Sequence, residues 1–309
     1  MQIDGSLYII IVNWNSKDDT ILCVNSLIKA GASPDNIVVV DNASSDGTVD
    51  ALRHQYGSQI HLIIIDKNLG YGGGLNEGIN FVFKYNASWL LLLNNDVVVD
   101  SHFFDELINV SNEEPNIKII SPIIYEYAHP KRIWFVGDKI IPFTLLTRSL
   151  YRGIMDQGKL NNLIPVDFIS GCAMMIHRSV FDAIGLFSTS FFMYGEEVDF
   201  LQRARMAGFH SVTATRAKMW HKISASNRDK PGTQYLKIYN QILFYKIYSS
   251  FWQLPLMFIL TFIRSIFLIC RYIVEQKYEL IIPSIKGWIK GWINNEVISY
   301  DRNFPQRYE

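Results

Sequence analysis

The sequence predicts an α/β fold, a mostly parallel sheet flanked by helices, with a helical module appended at its C-terminal end. Three observations predict it. Short apolar runs (Leu7 to Val12, Ile37 to Val40, His61 to Ile65, Trp89 to Leu93) alternate with segments of helical periodicity. The runs end abruptly in polar residues, as strands do where an open α/β sheet presents its ligand-binding edge. Beyond residue 230 the periodicity is helical throughout and the charge turns positive.

Leu7 to Val12 shows no alternation, which marks a strand covered on both faces, and Asn13-Trp14-Asn15-Ser16 is its exit turn. Asp18 to Ala30 places Ile21, Val24, Leu27 and Ile28 at helical spacing, and Gly31 can stop the helix. Ile37 to Val40 is the second strand, ending in Asp41-Asn42-Ala43-Ser44-Ser45-Asp46-Gly47. This strand–helix–strand rhythm makes the pair parallel, so both polar turns lie at one edge. A helix over Thr48 to Tyr56 and a strand over His61 to Ile65 lead into Asp66-Lys67-Asn68-Leu69-Gly70-Tyr71-Gly72-Gly73-Gly74-Leu75-Asn76-Glu77-Gly78. The third glycine of a dinucleotide fingerprint falls on Leu75, so that fingerprint fails and a dehydrogenase is disfavoured. These glycines either admit a ligand to the backbone or let a helix pack closely, and taken alone they favour packing.

The helix runs to about Tyr85. Trp89 to Leu93 then forms the central strand, and Asn94, Asn95 and Asp96 stand at its exit. A carboxylate between strand end and solvent can take one or two positions of a hard divalent cation whose other ligands are substrate phosphates. An Asn-rich turn is the plain alternative. Ser101 to Ser111 reads as a helix, Ile117 to Ile124 as a strand broken at Pro122, and Tyr125 to Asn162 as a long excursion without periodicity, of the kind that covers a substrate. Val166 to Ile176 reads as one strand and Arg178 to Ile184 as a short helix ended by Gly185. Next, Val198, Leu201 and Ala204 mark a helix face with Gly208 as C-cap, and Glu196, Glu197 and Asp199 occupy the first turn, where the helix dipole favours acids. Asp199 is spaced to pair with Arg203, a structural role. Ser211 to Thr215 is the last strand. His221, followed by the hydroxyl-rich Ser224-Ala225-Ser226, is a ligand candidate.

The chain has 309 residues, enough for one large domain with an appendage: 1–230 for the α/β domain and 231–309 for the helical region. Lys plus Arg and Asp plus Glu both number 29, so no nucleic-acid partner is implied. Cys23, Cys172 and Cys270 lack metal-ligand spacing and suit a reducing compartment, and Met1 to Gly5 does not read as a secretory leader. From Pro231 to Asn295 seven bases face two acids, a net of +5. Tyr235 to Tyr248 reads as a helix, and Leu254 to Val274 is apolar and long enough to span a bilayer. Arg264 at its middle, and the stripe of Thr261, Arg264, Ser265, Arg271 and Glu275, instead favour a helix lying at a membrane surface. Trp252, Trp288 and Trp292 fit the same surface. Packing on the α/β domain and a homodimer interface are the alternatives.

Taken together, Val12-Asn13-Trp14-Asn15, Asp41 to Gly47, Asn68-x-Gly70-x-x-Gly73-x-x-Asn76-x-Gly78, Asn94-Asn95-Asp96, Tyr194-Gly195-Glu196-Glu197-Val198-Asp199 and His221 resemble the family 2 glycosyltransferases of GT-A (Rossmann-like) fold, closest in look to the rhamnosyltransferase-like branch of bacterial surface-polysaccharide synthesis. The resemblance spans about Leu7 to Ser226. It implies that Asp41 reads the base of a dTDP- or UDP-linked sugar in a pocket lined by Val12, Asn13, Asn15, Asn68, Gly73, Asn76, Asn94 and Asn95. It further implies that Asp96 and His221 hold Mg²⁺ or Mn²⁺ on the diphosphate, that Glu197 is the general base, and that Gly171, Tyr194, Glu196, Asp199 and Trp220 support the donor and acceptor sites. Two positions depart from the pattern: Asn94 replaces the first Asp of Asp-x-Asp, and Glu197 replaces a commoner Asp. The implied activity is inverting transfer, with dTDP-rhamnose the leading donor, to a lipid-linked saccharide of O-antigen, capsule or cell wall, at the cytoplasmic face of the bacterial cell membrane. The alternative is a non-catalytic nucleotide-sugar-binding or scaffold protein.

Overall fold

The computed structural model describes residues 6–222 and 230–294; the leader reading of Met1 to Gly5 and the Ser224 to Ser226 loop lie outside them. The first half follows the expected rhythm: β1 (Leu7–Asn13), α1 (Lys17–Lys29), β2 (Ile37–Asn42), α2 (Thr48–Tyr56), β3 (His61–Ile65), α3 (Gly70–Phe83) and β4 (Trp89–Asn94). Continuous apolar runs make β1, β2 and β4 buried on both faces. After β4 come β5 (Val97–Val99), α4 (Phe103–Glu113), β6 (Ile119–Glu126), β7 (His129–Phe135), β8 (Gly137–Ile140), β9 (Thr147–Leu150), β10 (Leu163–Val166), β11 (Ala173–His177), α5 (Arg178–Ile184), α6 (Glu196–Met206) and β12 (Ser211–His221).

The main sheet is ordered β10-β12-β6-β11-β4-β1-β2-β3. Strands β4, β1, β2 and β3 are parallel, whereas β11 enters antiparallel to both β4 and β6. The glycines of α3 are packing devices at two positions: a Cβ on Gly74 would stand 2.8 Å from Val12 Cγ1, and one on Gly78 would stand 2.5 Å from Ile10 Cγ2. The helix therefore lies directly on the sheet.

Three expectations are corrected. Pro122 does not break β6, because the register with β12 slips between Ala214 and Lys218, opposite Pro122 and Ile123, so the ladder skips where proline has no N–H to give. The excursion after Tyr125 is not structureless. It carries β7 against β6 and the β8–β9 hairpin, edge strands whose charged and proline-bearing sequences hide them from a periodicity test. Val166 to Ile176 is two strands, β10 and β11, separated by the turn around Ser170-Gly171-Cys172.

The described residues group into two compact units: 6–141, 146–192 and 196–222 form the sheet unit, while 142–145, 193–195 and 230–294 form the second. The second unit contains α7 (Pro231–Tyr248), α8 (Leu254–Val274) and α9 (Ile281–Ile293). Gly287 and Gly291 let α9 close on α7, where added Cβ atoms would meet Tyr235 O and Ile242 Cβ, both at 2.8 Å. Among the described residues α8 alone is long and apolar enough to cross a membrane. Its polar stripe is turned inward at Thr261, which accepts hydrogen bonds from the indoles of Trp288 and Trp292. Those two tryptophans are partly buried within the helical unit, while Trp252 is exposed. Phe258, Ile259, Phe262, Ile263, Ile266 and Phe267 face outward.

Candidate active site

Parallel pairing of β1 with β2 sets Asn13 opposite Asp41 at the strand ends. Asn13 donates from Nδ2 to Asp41 Oδ2 (2.8 Å) and to Ser44 Oγ (2.9 Å). Its Oδ1 accepts from Thr20 Oγ1 (2.7 Å) and Asn95 Nδ2 (2.8 Å). Asp41 Oδ1 accepts the Ser44 N–H (2.9 Å), closing an Asx-turn around Ala43, which sits at φ 64°. Asn15 joins through Ser45 N–H and its own N–H to Ser44 Oγ, also at positive φ (49°). The left-handed conformation at two non-glycine residues in one edge marks a backbone held by its surroundings. Each Asp41 oxygen accepts one hydrogen bond and keeps lone-pair capacity for another donor.

The second cluster forms because β5 pairs antiparallel with β12, placing Val97 opposite His221, and because Lys222 N–H donates to Asp96 O (2.9 Å). Lys222 also clasps Asp19 at the start of α1. His221 Nε2 stands 3.1 Å from Asp96 Oδ2. Asp96 Oδ1 is buried and accepts no hydrogen bond. Burial alone would raise the Asp96 carboxyl, but the hydrogen bond and charge of His221 outweigh it and hold it below its ordinary value. Burial likewise opposes protonation of His221, yet the charges of Cys172 and Asp96 push it up to about 10. The Cys172 thiol receives a hydrogen bond from Asn94 Nδ2 (3.4 Å). Trp134 packs edge-on against His221, centroids 4.6 Å apart.

A carboxylate oxygen lacking a donor, next to an imidazole, fits a divalent cation. Among the described residues no three His, Cys, Asp or Glu side chains are grouped to hold an ion, so a cation held by this pair would need phosphate oxygens to complete its shell. Glu197 lies in the first turn of α6, where a Cβ on Gly171 would come 3.4 Å from its Cβ and Cγ. Tyr71 connects the parts: its hydroxyl donates to Gly171 O (2.8 Å), and burial, then the charges of Cys172, Glu196, Glu197 and Asp96, push its phenol well above its ordinary value. Sequence reasoning missed Tyr71 and Trp134. The one signal for Tyr71 was a lone aromatic among glycines.

Other expected site residues have different partners. The Asn76 amide is committed at both ends to Phe187, donating to its O (2.8 Å) and accepting from its N–H (3.0 Å), which corrects the nucleotide-binding reading. Gly73 is buried within α3 beside Leu69, and the Val12 side chain packs on Gly74, so both belong to the helix–sheet core. Asn68 pins the turn into α3 by accepting from Gly70 N–H and Asn42 Nδ2. Trp220 donates to Pro130 O and stacks on Tyr125, on the strand face opposite its neighbour His221. Asp199 is fully buried against Arg203 (3.0 Å), whose guanidinium also donates to Ile184 O and Leu186 O, so it braces α6 structurally. Tyr194 (φ 68°) groups with the second unit, where Asn240 donates to Met193 O and Tyr194 O. Glu196 is buried beside Gly72.

The family model "Glycosyl transferase family 2" matches residues 8–185, the segment from β1 through α5. The chain belongs to glycosyltransferase family 2. It is similar to the low-salt glycan biosynthesis hexosyltransferase Agl10 of Haloferax volcanii, at 32% identity over 92% of this chain and 90% of that protein. It is also similar to the N-acetylglucosaminyl-diphospho-decaprenol L-rhamnosyltransferase of Mycobacterium tuberculosis, at 25% identity over 75% of this chain and 81% of that one. Among solved structures it resembles the mannosyltransferase PcManGT of Pyrobaculum calidifontis in complex with GDP-Man and Mn²⁺ (TM-score 0.57, 12% identity, 96% and 92% coverage). GalNAc-T7 with UDP, GalNAc and Mn²⁺ is another neighbour (TM-score 0.58, 13% identity), of which the chain spans 50% while matching over 78% of its own length. This family 2 glycosyltransferase therefore has the GT-A fold, and it is an enzyme.

Proposed function

We propose that this glycosyltransferase moves a sugar from a dTDP- or UDP-linked donor, dTDP-rhamnose first, to a hydroxyl of a lipid-linked glycan, with inversion and with a divalent cation. The observation that carries the reading is the Asp96–His221 pair with its undonated carboxylate oxygen, set at the end of β4 beside the Asn13–Asp41 edge. Asp96 and His221 would hold the cation, which when bound supplies charge neutralisation for a leaving diphosphate. Asp41 offers an acceptor to the N–H that uracil and thymine share. Glu197 takes the proton of the attacking hydroxyl, help typically worth about 10²–10⁴-fold. Among the described residues no side chain stands out as a separate nucleophile, which favours a single displacement. Solved neighbours carry GDP- and UDP-type nucleotides, so the fold leaves the base open and the preference for a pyrimidine rests on the family resemblance at Asp41.

The rhamnosyltransferase similarity supports a lipid diphosphate acceptor. The outward apolar face of α8, with the basic excess of the C-terminal region, supports attachment to the cytoplasmic face of the cell membrane. A calorimetric titration of UDP, dTDP, GDP and ADP with and without Mn²⁺ tests the donor half. Binding of dTDP or UDP that strengthens with Mn²⁺ is expected. Binding indifferent to base and metal overturns the Asp41 and Asp96 assignments together.

A further inference from the structure

Beside the Asp96–His221 pair the structure holds a cation and a polar donor that no step above uses. The Trp134 ring that packs on His221 carries a buried Nε1–H without an acceptor, while the residue as a whole is partly exposed. Buried indole N–H groups ordinarily find partners. Over the same ring lies the Arg152 guanidinium, its central carbon 5.8 Å from the ring centroid. Arg152 is exposed and makes no ion pair among the described residues. Its place is fixed by the backbone: Gly153 N–H donates to Ile133 O (2.8 Å), Ile133 N–H to Ile154 O (2.9 Å) and Asp156 N–H to Lys131 O (2.8 Å). Residues 151–156 are thereby laid along the free edge of β7. They present Ile154 and Met155, each more than half exposed, next to Arg152 and the exposed Lys131.

We propose that Trp134 and Arg152 recognise the diphosphate of a lipid-diphosphate acceptor, with Ile154 and Met155 receiving the first isoprenoid carbons. The proposal rests on the glycosyl-transfer reading and deepens it. Arg presents a fork of donors that matches phosphate oxygens, and a guanidinium held over an indole ring is pre-positioned. An isolated arginine beside exposed aliphatic side chains complements a ligand that is anionic at one end and apolar at the other. The donor's own diphosphate is the competing occupant, because His221 touches the same ring.

The test is titration of the full chain with farnesyl diphosphate while dTDP or UDP and Mn²⁺ saturate the donor site. Arg152→Gln should weaken farnesyl diphosphate about tenfold, the usual scale for one charge-assisted hydrogen bond, and Trp134→Phe about threefold. Nucleotide–Mn²⁺ affinity should stay within twofold in Arg152→Gln. Inorganic diphosphate and farnesol should each bind far more weakly than the conjugate. Unchanged farnesyl diphosphate affinity in Arg152→Gln overturns the proposal alone. Equal weakening of nucleotide and farnesyl diphosphate reassigns the pair to the donor, and equal affinity for inorganic diphosphate removes the lipid. Wild-type protein that binds no nucleoside diphosphate overturns the glycosyl-transfer reading, and the acceptor role with it.

Discussion

The two halves of the ligand-binding edge are built on opposite terms. Around Asn13 the polar groups satisfy one another: Asn13, Thr20, Asp41, Ser44 and Asn95 form a closed knot of hydrogen bonds at 2.7–3.0 Å. Around Asp96 the arrangement is incomplete, with one buried carboxylate oxygen lacking a donor and the His221 imidazole holding the other. A satisfied knot fixes geometry before a ligand arrives and so reduces the ordering that binding requires. An unsatisfied oxygen is a standing cost that a cation can relieve. The difference teaches that one half of the candidate site is set in advance while the other is left open to a ligand.

The largest expected effect separates chemistry from either half. Glu197→Gln should lower kcat about 10²–10⁴-fold, since it removes the base while keeping the shape. Nucleotide–Mn²⁺ binding, measured by calorimetry, should be unchanged. A variant that retains full turnover removes Glu197 from the reaction.

Next in size, the incomplete half should respond to ligand where the knot does not. At a nucleotide–Mn²⁺ concentration of about 100 Kd the wild type should gain about 2.7 kcal/mol of stability. Asp96→Asn should gain little, and thermal unfolding with and without ligand reads the contrast. A variant with the full gain would show that the cation sits elsewhere. The knot should fail differently: Asn13→Ala strips a donor from Asp41 and an acceptor from Thr20 and Asn95. It should cost about 1–3 kcal/mol in urea unfolding without any ligand, and near-neutral unfolding would mean that water replaces the amide.

The same contrast shows what the sequence made legible. Strand interiors, the parallel half of the sheet, α2, β3, α5 and α8 were readable because burial on both faces, periodicity and glycine stops are local signals. The Asp199–Arg203 pair was readable for the same reason, being one helical turn apart. Tyr71 and Gly171 lie a hundred residues apart, and nothing near Tyr71 announces the carbonyl it meets. Asn76 was misread because its motif cannot show that Phe187 will occupy both ends of its amide. The excursion hid β7 because an edge strand carries the Pro and the bases that a core strand excludes. Trp134 was lost with it.

The smallest expected effect tests whether the Asp96–His221 pair supports the fold while the cation is away. His221 is raised from 6.5 to about 10, so its contribution is full below pH 6.5 and is lost as pH climbs through about 10. Asp96 is held below its ordinary 3.8, so its contribution is present above that value and is lost as pH falls beneath it. In chelator, the stability difference between wild type and Asp96→Asn should therefore be widest from about pH 4 to 6.5 and should shrink steadily toward pH 10. Nucleotide–Mn²⁺ binding should run the other way, because a metal ligand must be neutral imidazole and the proton has to leave. Binding that tightens with pH over the window in which apo stability declines would place both behaviours on one proton. Parallel stability curves for wild type and variant from pH 6 to 10 would break the link, and the imidazole would then be a neutral packing partner of Trp134.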